Sequence, residues 1–252
     1  MKIVTWNVNG VRARQAELQQ LLEAEQPDIV CLQEIKAAPD QVPALLLAQE
    51  GYWCYWHGAK GYSGVALLVR CGSRPESPGF SHPAFDLEQR IVVADFGATK
   101  VASVYVPNGG KDFDVKLRFL EALAEWTAET SRSGQALIVC GDLNVAREDR
   151  DVHPKERKPN QIGTRPDERA LLGRLFESGL ADVGRDLDPA NDELFTWWAP
   201  WRNLRQRNIG WRIDYVLASP AISTRARTSA SMREFGTSDH APVVVTFDGV
   251  LS

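Results

Sequence analysis

The chain has 252 residues, 44% of them hydrophobic and 25% charged, with 29 Lys and Arg against 33 Asp and Glu and a net charge of -4. That much apolar material offsets the ordering entropy of folding and excludes a disordered chain. No run is long enough to span a bilayer, and a general basic nucleic-acid coat is also excluded.

Met1-Lys-Ile-Val-Thr-Trp-Asn7 lacks the apolar stretch of a signal peptide, so cytoplasmic residence is expected. The four cysteines, Cys31, Cys54, Cys71 and Cys140, form no C-x-x-C pair, and buried free thiols are expected rather than zinc or disulfides. No repeat or linker divides the sequence, and one domain over 1–252 is the expectation.

Taken in order, Lys2–Trp6 is a predicted strand running into Asn7 and Asn9. Leu18, Leu21, Leu22 and Ala24 give one face of a first helix. Ile29–Leu32 is a strand that ends in Gln33-Glu34, and Gly64–Arg70, Ile91–Phe96 and Val101–Val106 are further strands. Val115, Phe119, Leu123 and Trp126 mark a second helix. Ala136–Cys140 is a strand ending in Gly141-Asp142-Leu143-Asn144. Leu171, Leu172, Leu175 and Phe176 mark a third helix, stopped at Gly179. Ile213–Ala218 is a strand carrying Asp214, and Thr237-Ser238-Asp239-His240 leads into the strand Val243–Phe247. Two packed sheets with helices outside would bury all these apolar faces.

Polar groups gather at strand ends, where a rigid frame meets solvent or a cleft. Glu34 reads either as a surface carboxylate near a helix start or as a hard-cation ligand of the kind Mg²⁺ takes. Asp142 and Asn144 lie two apart and face one side in extended chain; they can hold a water or simply form an Asx-turn. His240 follows an acid and precedes Ala241-Pro242, and a protonated imidazole there would stabilise charge on a phosphate, oriented by Asp214. His57, His82 and His153 have no comparable acidic context in sequence and are expected to be structural or exposed.

Trp197, Trp198, Trp201 and Trp211 place four of the eight Trp within fifteen residues. Seven Arg, among them Arg202, Arg205, Arg207 and Arg212, fall between Trp197 and Arg233 beside a single acid, Asp214. The pattern is either a Trp-rich core edge with solvated Arg, Trp198 being the clearest core candidate, or a phosphate-gripping, base-stacking surface.

Together these strings resemble the exonuclease III family of abasic-site endonucleases, within the endonuclease/exonuclease/phosphatase superfamily. The resemblance rests on Thr5–Gly10, Cys31–Glu34, Val104–Asn108, Gly141–Ala146, Gly210–Tyr215 and Ser238–Pro242, six motifs in family order. It implies an α/β four-layer sandwich, with two packed, mainly antiparallel mixed sheets flanked by helices. It implies Glu34 as the main Mg²⁺ ligand, with Asp239 and Asn9 beside it and Mn²⁺ as a substitute ion. It implies Asp142 and Asn144 as the water-holding pair, and Asn7, Tyr105 and His240 as contacts to the scissile phosphate, with Asp214 behind His240. Asn108 and Lys111 fall near substrate phosphates, and Trp197, Trp211 and Ile213 form the pocket for a baseless sugar. Trp197 is larger than the Phe of some members, and some members carry Asp where this chain has Asn9. The implied activity is hydrolysis 5′ to abasic sites in duplex DNA, with 3′→5′ exonuclease and 3′-phosphatase or phosphodiesterase activity, in a monomer working at the nucleoid. Another superfamily phosphodiesterase, a nonspecific DNase or a non-catalytic nucleic-acid-binding regulator are the competing readings. A nonspecific DNase would carry a His near Tyr105, and a regulator would have lost the metal and water-holding residues.

Overall fold

Alternation along the strands sets the layers. In the computed structural model, which describes residues 1–73 and 76–249, β1 (Lys2–Asn7) sends Ile3 into the space between two sheets and Val4 and Trp6 outward onto a helix. The same division recurs in β2 (Ile29–Gln33), where Ile29 and Cys31 face inward and Val30 and Leu32 outward. These strands are buried on both faces and therefore read as continuous apolar runs.

The remaining strands are β3 (Tyr52–Ala59), β4 (Tyr62–Arg70), β5 (Gly79–Ser81), β6 (Ile91–Asp95), β7 (Thr99–Tyr105), β8 (Ala136–Asp142), β9 (Ala181–Asp182), β10 (Asp214–Ala218), β11 (Ala226–Ser231) and β12 (Val243–Phe247). They form two six-stranded sheets, in the orders β11-β12-β1-β2-β4-β3 and β5-β6-β7-β8-β10-β9. Each sheet has one parallel pair, β1 with β2 and β7 with β8; the other pairs are antiparallel. This is the sandwich expected from the sequence. α1 (Gln15–Glu25) covers the first sheet through Leu18, Leu21 and Leu22. Ala24 is exposed, one correction to the predicted face. α2 (Ala44–Leu47) adds Leu46 to the same layer. α3 (Phe113–Arg132) and α4 (Pro166–Glu177) cover the second sheet through Phe119, Leu120, Leu123, Leu172 and Leu175. Asp112 caps α3 by accepting from the Val115 N–H at 3.1 Å. Gly179, at φ +100°, follows the end of α4 as expected. Two short helices, α5 (Val183–Leu187) and α6 (Pro220–Ser223), flank β10.

The parallel pairs bring the exits of β1, β2, β7 and β8 to one end of the sandwich. Gln33 bridges the sheets there, donating to Thr5 Oγ1 and Ser103 Oγ at 3.1 Å each, so this buried polar group is paired. Gly141 makes the β8 exit possible: its φ is +148°, and a Cβ there would lie 1.9 Å from the Val104 carbonyl oxygen. Gly141→Ala should therefore cost about 3 kcal/mol or more in urea unfolding, because backbone must move; an unchanged midpoint would show that β7 and β8 are not held this closely. All four cysteines are free thiols, Cys31 and Cys140 fully buried. Among the described residues no helix is long and apolar enough to cross a membrane.

Candidate active site

The exits of β2, β7 and β8 and the loops that carry Trp197, Trp211, Asp239 and His240 converge on a cavity of about 370 Å³ lined by Glu34, Tyr105, Asn108, Asp142, Asn144, Trp197, Trp211, Ile213, Asp239 and His240. Ten of the residues singled out in sequence thus share one concavity. Asn7 lies fully buried beneath it and ties its acids together, its amide donating to Glu34 Oε1 and Asp142 Oδ2 at 2.9 Å each. Asn9, Glu34, Lys36 and Asn144 all adopt positive φ without being glycine, a clustering of costly backbone at one place.

Asn9 and Asp239 are joined directly, the Asn9 amide donating to Asp239 Oδ1 at 2.8 Å. The other oxygen of Asp239 accepts from Trp197 Nε1 at 2.9 Å. Lys36 was not singled out in sequence. Its ammonium donates to Asn9 Oδ1 at 2.5 Å and lies 2.8 Å from Glu34 Oε2, so a cation bridges two of the expected metal ligands. Burial alone would raise Glu34, but the hydrogen bonds from Asn7 and Lys36 and the charges of Lys36 and His240 hold it below its ordinary value. Asp239 is likewise held low: burial is outweighed by His240, Trp197 and Asn9. The donor set of two ionised carboxylates and an amide oxygen suits a hard divalent cation. Glu34, Asp142 and His240 also place ligand-type atoms within 4.8 Å of one another.

Asp142 is 1% exposed. Burial, with Asp214 and Glu34 nearby, raises its carboxyl to about 7 against the opposing effects of His240 and Asn7. Its Oδ1 accepts the Asn144 N–H at 2.9 Å, the Asx-turn foreseen as the structural reading, while Oδ2 accepts from Asn7 and, at 3.2 Å, from the Asn144 amide. The turn thus holds Asp142 and Asn144 side by side at the cavity. His240 Nδ1 lies 2.9 Å from Asp214 Oδ2, which is itself held by the Thr196 hydroxyl at 2.6 Å. Burial would lower the imidazole, yet Asp214 and Asp142 raise it to about 10, so it is cationic at neutral pH. Its Nε2 stands 3.8 Å from Asp142 Oδ2. Tyr105 is raised well above its usual range by burial and by Glu34 and Asp142, and so remains a neutral donor. Arg90, buried and also unsought in sequence, lies 4.7 Å from the Tyr105 ring centroid and fixes it.

Trp197 and Trp211 exchange backbone hydrogen bonds at 2.8–2.9 Å, and their rings meet edge to face at 6.1 Å. With Ile213 they form the apolar wall of the cavity. Trp198 is core, as expected, and Trp201 is 58% exposed.

The basic cluster needs correction. Arg205 is not a free phosphate-gripping group: its guanidinium is half buried and donates to the carbonyls of Arg233, Ser238 and Phe235. Arg212 is buried between Asp151 and Asp182, with contacts of 2.6–2.9 Å. Arg227 and Arg233 pair with Asp248 and Glu234. Arg202 and Arg207 are exposed and lie outside the cavity lining, as does the exposed Lys111. A residue count records charge but not the carbonyls and acids that already consume it.

A buried pair also went unread in sequence. Lys116 and Glu168 are both fully buried and in contact. Lys116 donates to the Asn144 carbonyl at 2.7 Å, and Glu168 Oε1 accepts from the N–H groups of Gly163 and Arg165. The pair therefore pins the loops that carry Asn144 and Gly163 to the cavity. The available signal was a lysine inside the apolar stripe of α3, three residues before Phe119.

A carboxylate-rich pocket beside a cationic His–Asp pair, at the open end of a double-sheet sandwich, is a frame for phosphoester hydrolysis. The profile of the Endonuclease/Exonuclease/phosphatase family matches residues 4–240. The exodeoxyribonuclease of Bacillus subtilis (strain 168) is 34% identical over 250 residues, covering 96% of this chain and 98% of that protein. Among solved structures, a 3′-5′ exonuclease from Neisseria meningitidis superposes with a TM-score of 0.90 at 34% identity, over 99% of this chain and all of that one. An AP endonuclease from Archaeoglobus fulgidus gives a TM-score of 0.89 at 30% identity over 99% and 100% of the two chains. The chain belongs to the Endonuclease/Exonuclease/phosphatase family, in its exonuclease III-type AP endonuclease branch.

Proposed function

We propose that this protein is a divalent-metal-dependent DNA repair nuclease that hydrolyses the phosphodiester 5′ to abasic sites in duplex DNA and also processes 3′ ends. The observation that carries the reading is the meeting of Glu34, Asp142, Asp239 and His240 in one cavity with an indole and isoleucine wall. The names of the similar proteins, an exodeoxyribonuclease, a 3′-5′ exonuclease and an AP endonuclease, support it.

Mg²⁺, or Mn²⁺ in its place, fits the ligand set of Glu34 and Asp239 with Asn9, where the Lys36 ammonium already shows a cation-holding geometry. Bound there, the ion would supply Lewis-acid stabilisation of charge on the phosphate and its leaving oxygen. The chain's own groups do the rest. His240 Nε2–H and the Tyr105 hydroxyl offer hydrogen bonds to the non-bridging oxygens, where charge accumulates, whereas Asn7, whose amide hydrogens are both taken by Glu34 and Asp142, positions those carboxylates instead of meeting the phosphate. Asp142 Oδ2 and the Asn144 amide hold a water in line with the scissile bond, and that fixed orientation supplies much of the rate. Asp142 is suited to accept the water's proton because burial has moved its carboxyl close to neutrality. Trp197, Trp211 and Ile213 receive the flipped sugar, whose extrusion costs less stacking than that of an intact nucleotide. We read residues 1–252 as one catalytic domain acting as a monomer; residues 74–75 and 250–252 lie outside the described part.

Chelation should abolish incision, and added Mg²⁺ or Mn²⁺ should restore it; full turnover in chelator would remove the metal from the mechanism. The pH profile carries a sign. Asp142 must be ionised, so kcat/KM should rise through about pH 7. His240 must be protonated, so it should fall through about pH 10. A rate independent of pH between 5 and 8 would contradict the role of Asp142. The balance of activities is tested with three labelled duplexes, carrying an internal abasic analogue, a recessed normal 3′ end and a 3′-phosphate. Fastest cleavage of the first supports the reading; turnover confined to the other two replaces it with a 3′-end-processing enzyme.

A further inference from the structure

Outside the catalytic cavity, the free edges of the two sheets meet at a second cluster of ligand-type side chains. His57 lies on β3, the last strand of the first sheet, and His82 directly follows β5, the first strand of the second. Asp86 stands on the loop between β5 and β6. The imidazoles of His57 and His82 stack with centroids 4.5 Å apart and planes within 10°. His57 Nε2 is 2.6 Å from Asp86 Oδ2, and one ligand atom from each of the three residues lies within 4.8 Å of the others.

His57 is held in an ion pair and His82 is exposed, as expected from the sequence; what the sequence did not show is that the two rings meet. Asp86 is 29 residues from His57, and only the meeting of the sheet edges joins them. An ordinary ion pair would account for His57 and Asp86 but not for the second imidazole laid parallel to the first. Asp86 is also held as a ligand would be. Its Oδ1 accepts the N–H groups of Arg90 and Ile91 at 2.8 and 3.1 Å, which fixes the plane of the carboxylate and directs Oδ2 to the histidines. Burial would raise this carboxyl, but His57 and those two N–H groups keep it ionised. His82 is exposed and gives an ion its entry path, while His57 and Asp86 are largely shielded.

We propose that His57, His82 and Asp86 form a second metal site, selective for an imidazole-preferring transition ion of the zinc class and distinct from the all-oxygen set at Glu34. Two imidazoles and one carboxylate suit such ions, whereas Mg²⁺ favours oxygen donors. Three protein ligands leave room for water or a phosphate oxygen. The site lies on the catalytic end of the sandwich, since Val65 pairs with Gln33 on one side and His57 on the other. It also clamps the segment whose Arg90 supports Tyr105.

The test is calorimetric titration of the intact protein with Zn²⁺ in excess Mg²⁺, repeated with Co²⁺ to read its visible ligand-field bands. Wild type and Glu34→Gln should both take up one equivalent that His82→Ala binds at least about tenfold more weakly. His82 is exposed, so that variant should keep the wild-type fold, which circular dichroism checks. His57→Gln should remove the Co²⁺ bands as well. Equal Zn²⁺ affinity in wild type and His82→Ala, or loss of the equivalent in Glu34→Gln alone, overturns the proposal and leaves a His57–Asp86 ion pair.

Discussion

Asp142→Asn is expected to lower single-turnover incision by a factor of about 10³ to 10⁴, at the upper end of what one proton-accepting, water-orienting group supplies. The same change should stabilise the metal-free protein. The carboxyl is raised on folding from 3.8 to about 7, so folding favours its neutral form. Native stability is accordingly lost as pH rises from about 4 to about 7, and above that range the buried charge costs its full amount. An amide removes this cost and keeps the side-chain shape, although it keeps only one of the two acceptor oxygens that meet the Asn7 and Asn144 donors, which offsets part of the gain. At pH 8 the variant should be more stable by on the order of 1–3 kcal/mol, and the gain should vanish near pH 4. Urea unfolding at the two pH values checks it. A variant that retains turnover, or that is equally destabilised at both pH values, would show that Asp142 serves packing instead of chemistry.

His240→Asn should have the second large effect, with the opposite stability sign. Loss of a cationic donor to the phosphate should cost about 10²- to 10³-fold in kcat. The substitution also strands Asp214, buried and 2.9 Å from the missing ring, which should destabilise the fold by about 3 kcal/mol. Adding Asp214→Asn removes the unpaired charge. The double variant should regain most of the stability and none of the rate. If it regained activity, His240 would be acting only as a partner for Asp214.

The residues of the candidate site were legible because their chemistry is written at strand exits. Gly141-Asp142-Leu143-Asn144 and Ser238-Asp239-His240 each combine a backbone signal with ionisable groups, and the apolar strands before and after them locate the same end of the sandwich. What was not legible depends on pairing across the fold. The strand Tyr52–Ala59 lacks an alternating apolar pattern because most of its residues are half buried, and Ala226–Ser231 is a polar edge strand. Arg205 and Arg207 look alike in sequence, yet one is spent on three carbonyls and the other is exposed. Lys36, Arg90 and the Lys116–Glu168 pair support the site through contacts between distant segments, which local periodicity does not encode.

The proposal that Glu34, Asp142, Asp239 and His240, which meet in one cavity, cut DNA at a lesion held there is tested most directly by single-turnover cleavage of an end-labelled duplex carrying one internal abasic analogue, with Mg²⁺, using wild type and Glu34→Ala. The expected result is a single cut on the 5′ side of the lesion leaving a 3′-hydroxyl, abolished in a variant that folds normally. Cleavage spread evenly over all phosphodiesters, or an undiminished cut in Glu34→Ala, would contradict it.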